Sequence, residues 1–105
     1  MFPDIHIPAE INALDFSSIK GQLMDPCRGQ GWDKEYCDQV HREYLRFLAL
    51  VYYHPDKQIL PSSIIDVFWH AHILDTRKYQ VDCQRTLGHF LHHHPDRDLN
   101  LLREP

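Results

Sequence analysis

Apolar positions recur every three or four residues through most of the chain, and that spacing predicts helices. The clearest run is Tyr36, Cys37, Val40, Tyr44, Phe47, Leu48 and Val51, which share one face of a helix capped by Asp33 and reaching to about Tyr53. Asp33, Glu35 and Asp38 stand early in it and Arg42 and Arg46 later, the order that a helix dipole favours. His54-Pro55-Asp56 ends it, because a residue before proline is driven out of the helical region. Upstream, Asp15 is a good cap, and Leu14 and Ile19 have the spacing of a hydrophobic staple, so a short helix is expected over about 16 to 24. Pro26, Gly29 and Gly31 break it.

From Ile64 onward two periods compete. As a strand, Ile65, Val67, Trp69, Ala71 and Ile73 alternate with polar residues, but the alternation stops at Asp75. As a helix, Ile64, Ile65, Phe68, Trp69, His72, Thr76, Tyr79, Cys83 and Leu87 form one continuous stripe. The longer pattern favours a helix, capped from Pro61-Ser62-Ser63 and kinked near Asp75-Thr76. Gly88 marks its break, and His89 to His94 form a further turn. Residues 1–13 read as an extended arm that docks Ile5, Ile7 and Ile11, and residues 96–105 as a tail that docks Leu99, Leu101 and Leu102. The expected fold is all-α: one domain over residues 1–105, a small helical bundle with two main antiparallel helices and shorter flanking ones.

Composition narrows the class. The chain has 105 residues, 43% hydrophobic and 25% charged, as suits one small globular domain. A net charge of -4 with scattered Lys and Arg excludes a general nucleic-acid binder. No segment approaches the roughly 20 apolar residues of a membrane span, and the first residues lack the pattern of a secretory leader. Three cysteines without a CxxC pair argue against a disulfide framework and a four-cysteine zinc site. The expected compartment is the cytoplasm. No nucleic-acid or membrane partner is expected, and a protein partner fits.

Nine histidines are the outlier; two of them, His70 and His72, stand in the stretch Asp66-Val67-Phe68-Trp69-His70-Ala71-His72-Ile73-Leu74-Asp75-Thr76, and four more follow at His89 and His92 to His94. His70 and His72 are two apart, about 200° around a regular helix, so they face opposite sides. His72 falls at the centre of the apolar stripe, where a buried imidazole needs partners for both nitrogens: Thr76, a tyrosine or a metal. His70 shares the other side with Asp66, either as a surface charge-assisted pair or as a ligand with its orienting carboxylate. If the turn carrying His89, His92, His93 and His94 folds back beside them, three imidazoles converge, an arrangement that suits zinc or another divalent metal. Otherwise that turn is a solvated helix end. Cys37 with His41 has the spacing of a thiolate-imidazole couple, but no oxyanion-hole pattern accompanies it. The Gly29-Gln30-Gly31 loop lacks the Lys-Ser/Thr of a phosphate loop.

Asp66-x-x-Trp69-His70-x-His72, with Tyr79, Gly88 and His93, resembles the signature of the glycine-rich domain-containing protein-like family. The fuller run from Trp69 to Tyr79, with Asp82-Cys83, Leu23-Met24-Asp25-Pro26, Gly31-Trp32 and Tyr44-x-x-Phe47-Leu48, is similar to its short bacterial members. The likeness covers roughly residues 14 to 95 and departs after Pro95, at Asp96-Arg97-Asp98. It implies that Asp66, His70, His72 and His93 form one constellation.

The leading expectation is therefore a metal-binding domain with zinc as the first guess. His70, His72 and His93 would be its ligands, and Asp66, Asp75, Tyr79, Cys83 and His92 further ligands or supporting groups. The alternative is a protein-interaction module whose histidines are structural core or hydrogen-bonding residues. A third reading is a pH-responsive domain, given so many imidazoles near apolar surface. No catalysis is assigned. A shared site for His70, His72 and His93 requires a broken helix, since otherwise His93 reaches only one face.

Overall fold

The computed structural model describes residues 5–93. Among them are five helices and no strand: α1 (Ala9–Asn12), α2 (Ser17–Met24), α3 (Lys34–Tyr53), α4 (Ser63–Leu74) and α5 (Thr76–Thr86). The expected all-α class holds. The expected tail from 96 to 105, and His94, lie outside the described residues. The arm is not extended throughout, as the sequence led us to expect: it carries one short helix, which inserts the fully buried Ile11.

Local chemistry explains most helix ends. The Asp33 side chain accepts a hydrogen bond from the Tyr36 amide at 2.8 Å, and Ser62 Oγ accepts one from the Ile65 amide at 3.3 Å. Asp15 accepts from both the amide and the hydroxyl of Ser17, at 3.0 and 2.6 Å, and so organises the entry to α2. α3 ends at Tyr53, ahead of His54-Pro55. The kink expected near Asp75 is a full break: Asp75 leaves helical geometry at φ -85°, ψ 72°, and α5 starts at the next residue. The stripe read as one helix is thus divided between two that pack against each other. Phe68, Trp69, His72, Tyr79 and Cys83 are buried, whereas Thr76, at the break, is exposed.

The principal packing contact joins α3 to α4, and α2 lies against both. Tyr44 and Phe47 of α3 meet Phe68, His72 and Trp69 of α4, and Phe16 fits edge-on among Tyr44, Phe68 and His72. Such aromatic pairs add to the gain from burial. Cys37 and His41 do not act as a couple. The buried Cys37 thiol faces the Lys20 carbonyl oxygen at 3.9 Å, His41 Nδ1 stands 3.2 Å from Lys20 Nζ, and burial pushes the thiol up from its usual range.

Two glycines shape the loops that border the candidate site. Gly88, at φ 82°, takes the left-handed conformation that closes α5, with its amide donating to the Cys83 carbonyl at 3.1 Å. The chain then turns back toward α4. In the loop after α2, the amides of Gly29 and Gly31 donate to the Asp25 carbonyl at 2.9 and 3.2 Å, and that of Gln30 donates to the Leu23 carbonyl at 3.0 Å. Gly29 lies so close to the end of α2 that a Cβ there would overlap the Gln22 carbonyl oxygen. Gly29→Ala is expected to cost about 2 kcal/mol, the scale of an overpacked site. Denaturant unfolding monitored by circular dichroism checks this, and an unchanged midpoint would remove the close approach as a constraint.

Candidate functional site

The structure separates the histidines by face, and each face has a different chemistry. His72 is buried with 1% exposure. Its Nδ1 is 2.8 Å from the Tyr44 hydroxyl and its Nε2 is 2.8 Å from Asp82 Oδ2. Lys78 Nζ reaches the same carboxylate oxygen at 3.0 Å. A carboxylate only accepts, so Nε2 carries the proton and Nδ1 accepts from Tyr44 O–H. Burial holds His72 below the usual imidazole range, against the opposing pull of Asp82, and burial also pushes Tyr44 well up. The result is a neutral, fully partnered imidazole inside a polar network linking α3, α4 and α5.

His70 faces outward on the opposite side of α4, as the spacing required. His93, after the turn at Gly88, arrives on this side and not on that of His72. His93 Nε2 lies 2.6 Å from Asp66 Oδ1. Its ring packs against Trp69 at a centroid distance of 4.3 Å and stands 6.4 Å from that of His70. Trp69 is itself fixed, since Nε1 donates to the Tyr79 hydroxyl at 2.9 Å, and that hydroxyl donates to the Leu91 carbonyl at 2.5 Å. Tyr79 thus holds both the indole and the segment that carries His93.

Asp66, His70 and His93 line one wall of an open cleft of about 760 Å³. Arg28, Gly29 and Gln30 of the loop after α2 belong to the other wall, and Val67, Ala71, Ile73 and Leu74 give it an apolar floor. Asp66 stands in the first turn of α4, where the helix dipole favours a negative charge. The cleft therefore presents a carboxylate, two imidazoles and a guanidinium beside apolar surface.

The set expected to converge is thereby divided. Asp66, His70 and His93 come together; His72 does not join them. Asp75 sits at the helix break and is exposed, Tyr79 and Cys83 are buried in the core, and burial raises the Cys83 thiol. His92 is exposed, edge-on to Phe90 at 4.8 Å, beside a separate cavity of about 260 Å³. Among the described residues, no three His, Cys, Asp or Glu side chains are grouped so as to hold a metal ion as they stand. The sequence reading offered His72 a tyrosine, which proves to be Tyr44, and missed Asp82 and the place of Arg28 in the cleft lining. A signal for Asp82 was available, since it lies three residues after Tyr79 on the same helix and one before Cys83, at the edge of the apolar stripe.

No helix among the described residues is long and apolar enough to cross a membrane. Compared with known proteins, residues 11–104 match the model of the UCP032817-like family, and the chain belongs to that family. Its description names no reaction or ligand. No curated protein and no solved structure matches the chain.

Proposed function

For this member of the UCP032817-like family, we propose a binding role: the domain is a module that takes a small polar ligand in the cleft between α4 and the loop after α2. One observation carries this reading. The Asp66–His93 pair, at 2.6 Å, is held on the wall of a 760 Å³ cleft with His70 beside it and Arg28 among the lining residues. Functional polar groups set against an apolar floor are what ligand clefts have in common. His72 belongs to the other reading of the sequence, that of a structural histidine. The resemblance to the glycine-rich domain-containing protein-like family groups Asp66 with His70, His72 and His93; without His72, which is engaged in the core, the other three fit this cleft, and a divalent ion such as zinc is the finer form of this proposal. Three thiols without a disulfide fit a reducing compartment such as the cytoplasm.

The test is amide chemical-shift mapping of the metal-free protein against a panel of small carboxylates, phosphates and amines. Saturable shifts clustered at Gln30, Val67, Ile73 and Leu74 are expected, weakened at least tenfold by His70→Ala. Saturable shifts located only elsewhere, or binding indifferent to His70, would remove the cleft as the site.

A further inference from the structure

We infer that Asp66, His70 and His93 form a divalent-cation site that closes on its ion, where a hydrogen bond now joins Asp66 and His93. The inference rests on the cleft reading and names the ligand chemistry. Three observations support it. Asp66 and His70 are one helical turn apart, so both project on the same side of α4. His93 reaches them from a different segment, 27 residues from Asp66 in sequence, and brings Nε2 to 2.6 Å from Oδ1. The His93 ring is fixed by Trp69, which Tyr79 holds in turn.

The distances describe a site short of closure. Two imidazoles sharing one tetrahedral ion, at metal–nitrogen distances of about 2.1 Å, have ring centroids about 5.3 Å apart. His70 and His93 stand at 6.4 Å, too far for the rings as they lie. His70 is exposed, so its side chain can turn inward without disturbing the core. In the other direction, 2.6 Å between Nε2 and Oδ1 is a hydrogen bond and too tight for two ligands of one tetrahedral ion, which stand about 3.4 Å apart. Closure therefore requires Asp66 to draw back by somewhat under about 1 Å and the hydrogen bond to give way to the ion, the proton of a neutral His93 ring being carried on Nδ1 instead.

Two imidazoles and one carboxylate leave the remaining positions to water or to the cleft's ligand. This donor set suits zinc and other first-row divalent ions and lacks the oxygen count that calcium prefers. His72 has no part in it, because both its nitrogens are engaged in the core.

The experiment is titration of tag-free, chelator-treated protein with Zn²⁺ by calorimetry, and with Co²⁺ by visible absorption. One equivalent is expected to bind. His70→Ala and Asp66→Asn are each expected to weaken it at least tenfold, while His92→Ala and His89→Ala leave it unchanged; circular dichroism confirms that all four variants fold. Binding that survives His70→Ala, or that falls equally with His92→Ala, would overturn the inference. Ligand shifts in the cleft under chelator, with no saturable metal binding, would overturn the cation site and leave the cleft reading standing. Silence in both titrations would overturn both.

Discussion

Replacing His72 with alanine is expected to destabilise the fold by about 4 kcal/mol, a large share of the roughly 5 to 15 kcal/mol that holds a domain together. Two losses combine. A ring with 1% exposure leaves a cavity among Phe16, Tyr44 and Tyr79. The Tyr44 hydroxyl is then stranded without its partner, which is costly for a buried polar group, and the Asp82 carboxylate keeps Lys78 but loses its buried donor. Tyr44→Phe removes only the hydroxyl and is expected to cost about 1.5 kcal/mol. Chemical denaturation measures both, and a loss below about 1 kcal/mol for His72→Ala would mean that the network does not hold the helices together.

The same histidine sets a pH dependence. Burial lowers its pKa from the unfolded value of 6.5, and burial lowers that of His41 in the same direction. Above pH 6.5 both forms of the chain are neutral at these positions and stability is full. As pH falls below 6.5, the unfolded chain takes up protons that the folded imidazoles refuse, so stability declines until the lowered folded pKa values are reached. Asp38 acts in a separate window: hydrogen bonds from Lys20 and Lys34 pull its carboxyl to about 2, so its contribution fades only between about pH 4 and 2. His72→Ala is expected to flatten the slope just below pH 6.5 and to leave that of Asp38 intact. A slope unchanged by the substitution would assign it to other groups.

The second large effect is at Phe16. This ring, with 2% exposure, stands edge-on to His41, Phe68 and His72 at 5.4, 5.4 and 4.7 Å, and Lys78 Nζ is 5.4 Å from its centroid. It reaches from the start of α2 to all three longer helices. Phe16→Ala is expected to cost about 4 kcal/mol, as buried Phe-to-Ala changes do. It also opens a path for water to His72. The His72 imidazole resonance should then titrate closer to 6.5 than in the unmodified protein, which NMR can follow. Combined with His72→Ala, the loss should fall short of the sum, because the two side chains share one cavity.

Helix positions were legible because their determinants are local. Asp33, Ser62 and Pro55 act on backbone groups within three residues of themselves. The opposition of His70 and His72 was legible for the same reason, since a two-residue spacing on a helix allows no other outcome. The companions of each histidine were not. His72 finds Tyr44 28 residues earlier and Asp82 ten residues later, and the second contact exists only because the chain breaks at Asp75 and α5 turns back. Read as one stripe kinked near Asp75, α4 and α5 offered His72 either Thr76, which is exposed, or a tyrosine whose position the spacing does not give.

The sequence by itself therefore determined α2, α3, the start of α4 with the caps Asp33 and Ser62, and the two faces of α4, all properties of neighbours along the chain. Only the tertiary structure decided that His93 joins Asp66 and His70 while His72 stays in the core. That choice depends on where the turn at Gly88 sends the chain and on which ring Trp69 packs against. Burial completes the division: in the core it favours a neutral, fully bonded imidazole, and in the open cleft it leaves His70 exposed for a ligand.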